Sequence, residues 1–290
     1  MHVLITGITG YIGQYLLKHV PAGIKISGTF HKKPPVDALC NSLDSRFFMD
    51  LSKPLNEQLH DVKVDAIIHT AAVSNLAFCE TNPQIAHRIN RQAAKELASW
   101  CRQREVQLIY LSTDIVFDGL NAPYQENDLT EPINNYGKTK LAGEKQIINS
   151  MENYSFARLA LVLGKGMGER KNFMDWFLEQ LDSENQIPLY YDEIRTPVFI
   201  EDAVNTLWMI CLNRLSGIFH ICGSESINRL ELGRKICGYL NKSDEKLRPT
   251  SLKDINYHRP FNVALLNTKL KDLHPNDKLY ISDNVERLLF

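Results

Sequence analysis

The sequence predicts an α/β fold built on a doubly wound parallel sheet, and three observations carry that prediction. Short apolar runs alternate with helical patterns through the first half of the chain, and strand–helix–strand repetition gives parallel strands joined by right-handed crossovers. The runs lack apolar–polar alternation, as expected of strands covered on both faces. The first run leads directly into Gly7, Gly10 and Gly13.

The elements follow in order. Residues 3–6 are the first strand. Residues 11–20 set Leu16, Leu17 and Val20 on one side, as an amphipathic helix requires. Residues 24–30 are the second strand, and 47–49 a short third that ends at Asp50. Residues 64–69 and 106–112 are apolar strands. Between them, Ile85, Ile89, Ala93, Leu97 and Trp100 recur every three or four residues, predicting one helix over 84–104. Residues 138–151 are helical, and 155–163 form a strand stopped by Gly164. Helices over 173–181 and 202–212 and a strand over 217–222 come next. Asn228-Arg229-Leu230-Glu231 has the pattern of a capping box opening a helix through Tyr239.

The composition narrows the function classes. The chain has 290 residues, 44% hydrophobic and 23% charged, enough to bury a core and too apolar for disorder. Lys and Arg number 33 against 34 Asp and Glu, so the bulk charge gives no case for nucleic acid. No run approaches the ~20 apolar residues of a membrane span. The apolar start lacks a basic region and reads as a strand rather than a signal peptide, so a cytoplasmic location is expected. Cys40, Cys79, Cys101, Cys211, Cys222 and Cys237 form no C-x-x-C pair and are expected as buried thiols in a reducing compartment. No metal-ligand pattern is present, and no repeat or linker divides the chain.

Gly7-Ile8-Thr9-Gly10-Tyr11-Ile12-Gly13 joins the first strand to the first helix. A tight turn needs positions without Cβ, and a pyrophosphate needs close approach to the backbone and the free N–H groups of a helix start. The second strand ends Thr29-Phe30-His31-Lys32-Lys33. It offers no acid for a ribose 2′-hydroxyl and two lysines, Lys32 and Lys33, for a 2′-phosphate. NADP(H) is therefore the expected cofactor, with NAD(H) the alternative. Tyr136 and Lys140 are one helical turn apart and share a face. A free phenol has a pKa of ~10, and a neighbouring ammonium is expected to lower it. Ser112 and Thr113 end a strand, where hydroxyls can polarise a carbonyl.

The Gly-x-x-Gly-x-x-Gly spacing resembles that of the short-chain dehydrogenases/reductases. The whole series resembles their extended branch, close to the dTDP-4-dehydrorhamnose reductase family. The matching stretches are Gly7–Gly13, Asp50-Leu51, Thr70-Ala71-Ala72, Ser112-Thr113-Asp114-Ile115-Val116-Phe117-Asp118-Gly119, Pro132, and Tyr136-Gly137-Lys138-Thr139-Lys140. Arg158-Leu159, Asn172-Phe173, Arg195-Thr196-Pro197 and Arg259-Pro260-Phe261-Asn262 follow.

The resemblance implies a Rossmann-type doubly wound parallel sheet with a smaller discontinuous C-terminal substrate lobe. Residues 1–163 and 196–222 would be the NADP-binding domain, and 164–195 and 223–290 the lobe. It implies NADPH-dependent reduction of a 4-keto nucleotide sugar. Tyr136 would donate the proton, Lys140 would orient the nicotinamide ribose and tune Tyr136, and Thr113 with Ser112 would polarise the sugar carbonyl. The cofactor would lie on Gly7, Thr9, Gly10, Tyr11, Ile12 and Gly13, with His31, Lys32, Asp50 and Leu51 towards its adenosine. Thr70, Ala71, Ala72 and Asn90 would complete its site. Ser74, Asp114, Val116, Asn172, Arg195 and Arg259 would face the substrate.

The sequence departs from the family at Ile115, where tyrosine is usual, at Val73-Ser74-Asn75-Leu76-Ala77, and at Val263 and Leu265-Leu266. The stretch through Tyr136-Gly137-Lys138-Thr139-Lys140-Leu141-Ala142-Gly143-Glu144-Lys145 is also similar to the regulatory β subunit of methionine adenosyltransferase. That likeness implies an NADP-binding subunit without turnover and with a partner enzyme. Nucleotide-sugar epimerases and dehydratases share the fold, but the Ser-Thr-Asp-x-Val-Phe-Asp-Gly and Arg-Pro-x-Asn signatures argue against them. The expected ligand is a small nucleotide sugar, with neither nucleic acid nor membrane, and a homodimer is admitted.

Overall fold

Seven strands form the central sheet: β1 (His2–Thr6), β2 (Lys25–Phe30), β3 (Ser45–Phe48), β4 (Ala66–His69), β5 (Gln107–Thr113), β6 (Tyr154–Leu159) and β7 (Gly217–Ile221). The computed structural model describes residues 1–32, 34, 43–167, 171–256, 258–270 and 287. The strand order is β7-β6-β5-β4-β1-β2-β3, and every pairing is parallel. The chain reverses its direction of travel across the sheet between β1 and β4, which opens a crevice at their carboxyl ends.

Alternate side chains explain why the strands read as unbroken apolar runs. Val3, Ile5, Ile26, Ile68 and Ile109 face one core with Leu16 and Trp208. Leu4, Ile67, Leu108 and Tyr110 face the other with Leu97 and Trp100. Both faces exclude water, so neither needs polar positions. A separate core gathers Leu163, Met174, Phe177, Ile187, Leu189, Phe199, Leu230 and Ile236. It belongs to the helices Phe173–Asp182 and Arg229–Tyr239 and to the parallel pair Ile187–Tyr190 with Leu247–Thr250.

Several boundaries differ from the sequence reading, each for a local reason. The helix expected over 84–104 is interrupted. Pro83–His87 and Ala93–Gln103 are α-helical, and Arg88–Gln92 between them is a π turn. Asn90 is buried there. Its amide meets Val73 in both directions at 2.9 Å, and its carbonyl accepts from the Tyr110 hydroxyl at 2.9 Å. Side-chain period does not register such a bulge. The helix Asn135–Ile148 begins earlier than expected because Asn134 accepts from the Gly137 N–H at 2.8 Å. The strand expected over 155–163 divides, and Val162–Leu163 leaves the sheet to pair with Val198–Phe199. Asn228 caps its helix by accepting from the Glu231 N–H at 2.9 Å. A reciprocal capping box forms instead between Asn172 and Asp175.

The five described cysteines are free and buried. Cys40, Lys33 and residues 271–290 of the expected lobe, apart from 287, lie outside the described residues. Among the described residues, no helix is long and apolar enough to cross a membrane.

Candidate active site

The glycine loop closes around its own backbone. Gly7 has φ of 72°, and a Cβ there would stand 3.0 Å from the Ala71 Cα. A Cβ on Gly13 would collide with the Gly7 carbonyl oxygen and stand 2.8 Å from the Ile8 Cα. The Gly10 N–H donates to the Gly7 carbonyl at 2.9 Å, and the Ile8 N–H to the Thr29 carbonyl at 3.0 Å. The helix Tyr11–Lys18 starts after Gly10 with no side-chain cap. Its first N–H groups are therefore left for an anion. Thr9 and Ile12 are half-buried, and the Tyr11 hydroxyl donates to the Gly164 carbonyl at 3.0 Å.

Under the loop, the carboxyl ends of β1 and β4 are stitched together. The Thr6 hydroxyl and His69 Nδ1 share a hydrogen bond of 2.8 Å. The Thr70 hydroxyl donates to the Thr6 carbonyl at 2.5 Å, and the Ala71 N–H to the Thr6 hydroxyl at 3.2 Å. Ala72 is half-buried beside them. Burial lowers the His69 pKa to about 3 and keeps the ring neutral. Beyond the end of β2, His31 and Lys32 are exposed. The Asp50 carboxylate lies 3.8 Å from His31 Nε2 and accepts from the Ser52 N–H at 2.8 Å, and Leu51 is buried. An acid thus stands near the β2 end in space, although none is there in sequence.

The Tyr136 phenol lies close enough to the Thr113 hydroxyl to be influenced by it. The Thr113 hydroxyl donates to Asp114 Oδ1 at 3.1 Å. Lys140 is buried, with Nζ 3.8 Å from the centroid of the Tyr110 ring. Burial lowers its pKa to about 7, against the opposing charge of Glu144. The tuning expected of Tyr136 runs the other way in this geometry. Burial raises the phenol above its ordinary value, the Asp114 carboxylate adds to this, and the nearby Thr113 hydroxyl only opposes it. Ser112 is buried, and its hydroxyl has no hydrogen-bond partner.

A charged cluster continues from Asp114. Its Oδ2 lies 2.9 Å from Arg195 Nη1, and Arg195 Nε lies 3.9 Å from Glu193 Oε1. Arg229 Nε donates to Glu193 Oε2 at 3.0 Å, and Arg259 also donates to Glu193. Burial raises the Glu193 pKa, but Arg229, Arg195 and Arg259 outweigh it and hold the carboxyl at about 2. For Asp114 burial prevails over Arg195, and its pKa is raised. Arg195 Nε, Arg229 Nη1 and Arg259 Nε have no hydrogen-bond partner.

Arg195, Arg259 and Asp114 thus meet, but other sequence-selected residues have structural partners. Val116 is fully buried with Phe117, Tyr124 and Leu141. The Asn172 side chain accepts from the Asp175 N–H at 3.0 Å and donates to the Gly164 carbonyl at 2.9 Å. The Asn90 amide is held by Val73 and Thr139. Ser74 is exposed. Glu193 and Arg229 join the site without having been expected there. Glu193 stands two residues before Arg195, a spacing that shares a face in a strand.

The fold and crevice define the class: a Rossmann-type α/β protein, with a glycine cradle at the switch point of its sheet and a tyrosine–lysine helix beside it. A family model described as RmlD substrate binding domain matches residues 1–283. The chain belongs to that family.

Among curated proteins, it is similar to a probable low-salt glycan biosynthesis reductase of Haloferax volcanii, 28% identical over 88% of this chain and 86% of that protein. It is also similar to methionine adenosyltransferase 2 subunit beta of Rattus norvegicus, 29% identical over 93% of this chain and 82% of that protein. Among solved structures, dTDP-4-dehydrorhamnose reductase from Bacillus anthracis in complex with NADP superposes with a TM-score of 0.84. That match has 23% identity and covers 99% and 98% of the two chains. The enzyme of the same name from Yersinia enterocolitica gives 0.85 at 24% identity and the same coverage.

Proposed function

We propose that the chain is an NADP(H)-dependent oxidoreductase that reduces the 4-keto group of a nucleotide sugar. The observation that carries this reading is that the helix bearing Tyr136 and Lys140, one turn apart, packs against the strand ending at Thr113, on the same parallel sheet whose β1 end holds the glycine cradle. The cradle suits a dinucleotide, because Cβ atoms on Gly7 and Gly13 would close it and the helix start above it is uncapped. In this reading Gly7, Gly10 and Gly13 hold the pyrophosphate, with Thr9, Tyr11 and Ile12 beside it. His31 and Lys32 take the adenosine phosphate, Asp50 and Leu51 border the adenine, and Thr70, Ala71 and Ala72 line the floor. NADPH supplies the hydride when bound.

The rest of the chemistry falls to the chain's own side chains. Tyr136 is protonated at neutral pH, as a proton donor must be, because its pKa is raised. Thr113 and the unpartnered Ser112 hydroxyl polarise the carbonyl oxygen. Lys140 orients the cofactor ribose. Arg195, Arg259 and Arg229, held by Glu193, meet the anionic part of the substrate, and guanidinium groups suit phosphate oxygens. The reductases among the relatives support the reading.

A second reading is a cofactor-binding subunit without turnover. It is favoured by the likeness to methionine adenosyltransferase 2 subunit beta and by the departures at Val73–Ala77 and Ile115. NADPH oxidation with a panel of 4-keto nucleotide sugars separates the two. Oxidation with any of them supports the reductase, and silence across the panel with tight NADP binding supports the subunit.

A further inference from the structure

We infer that Tyr110 is the positioning residue of Lys140: its ring face seats the ammonium group, and the bulged turn carrying Asn90 fixes the ring. The inference rests on the reading above only in giving Lys140 a role towards the cofactor. Tyr110 is fully buried on β5, with Lys140 Nζ 3.8 Å from its ring centroid. A cation is drawn to the negative face of an aromatic ring, most strongly where water is excluded.

The other groups around Lys140 are committed or uncharged. Glu144, on the same helix, binds Arg158 through both oxygens at 3.1 and 2.8 Å. His69 on β4 is held neutral by burial. Cys79, from the helix Leu76–Thr81, stays a thiol because burial pushes its pKa to about 11. Tyr136, one turn earlier, is kept protonated. The ring of Tyr110 is the direct contact that favours the charged lysine, and the charge of Glu144, already paired with Arg158, adds to it from farther away.

The ring cannot drift. Its hydroxyl donates to the Asn90 carbonyl at 2.9 Å, within the π turn Arg88–Gln92. His69 stacks beside it with centroids 5.7 Å apart, and Phe156 meets it edge-on at 6.2 Å. The lysine helix docks on this same point. A Cβ on Gly143 would collide with the Tyr110 hydroxyl oxygen and stand 2.6 Å from the Asn90 carbonyl oxygen. Gly143 lies one turn beyond Lys140 on a neighbouring face. The bare Cα at Gly143 therefore brings the ammonium down onto the ring.

The test is an NMR titration of the full chain, labelled with 13C at lysine Cε, from about pH 5 to about pH 9. Lys140→Arg assigns the resonance. Tyr110→Leu should lower the Lys140 midpoint by about one pH unit, a roughly tenfold change in its protonation equilibrium. Tyr110→Phe keeps the ring and should hold the midpoint near that of the parent. A folded Tyr110→Leu chain with an unmoved midpoint overturns the inference and leaves Tyr110 a core residue only. Should that variant not fold, Tyr110→pentafluorophenylalanine keeps the shape and reverses the ring's charge distribution. Its midpoint must also fall, and an unchanged one overturns the inference. Because a lysine titration is the readout, the result holds whether or not the chain turns over any sugar.

Discussion

Replacing Glu193 with Gln removes the carboxylate that three guanidinium groups share, while keeping the side chain's shape. The folded carboxyl sits at about 2 against an ordinary 4.5. At 1.36 kcal/mol per pH unit, its charged form contributes about 3 kcal/mol to the folded state at neutral pH. Leaving one side of a buried ion pair unmatched costs about 3–5 kcal/mol, which agrees. Glu193 is 2% exposed, so solvent screening does not erode this figure. The sign follows from a depressed acid: the contribution is complete above about pH 4.5 and is lost as pH falls through about 2. Urea unfolding of parent and Glu193→Gln, followed by tryptophan fluorescence, should therefore differ by about 3 kcal/mol at pH 7. The difference should fall to about 1.5 kcal/mol at pH 3. A difference below about 1 kcal/mol at pH 7, or one that ignores pH, would refute the claim that Glu193 anchors the arginines.

Two further outcomes follow from the site geometry. Gly13→Ala sets a Cβ against the Gly7 carbonyl and the Ile8 Cα, neither of which can swing away. NADP affinity by calorimetry should fall about tenfold or more with helix content retained, and unchanged affinity would count against the cradle. Lys140, with its pKa lowered to about 7, gains its charge as pH drops through neutrality. Binding of the anionic cofactor should tighten in that direction, and Lys140→Met should flatten the dependence. A parent and variant with the same pH profile would remove Lys140 from the cofactor site.

Much of this protein is legible in its sequence where one interaction dominates. Strands buried on both faces announce themselves as apolar runs, and the glycines between β1 and its helix mark a tight turn of closely approaching backbone. Tyr136, Lys140 and Thr113 share one end of the sheet because a helical turn and a strand end are short-range facts. What stays hidden depends on partners distant in sequence. The π turn at Asn90 answers Val73, Thr139 and Tyr110, none of which periodicity can pair with it. Asn172 and Val116 sit in matching stretches, yet one caps a helix and the other packs in a core. Glu193 and Arg229 gain significance only when the fold brings them against Arg195 and Arg259. The direction of the Tyr136 shift is not legible either, because spacing shows a lysine one turn away but neither the burial of the phenol nor the carboxylate of Asp114 beside it.

The most direct measurement compares the parent chain with Tyr136→Phe in NADPH oxidation, using 4-keto nucleotide sugars and following loss of the reduced nicotinamide absorbance. The parent should turn over at least one sugar. In the variant the rate should fall about 10²–10⁴-fold while NADPH binds as before, because only the proton donor has gone. A variant that turns over at the parent rate would contradict that role.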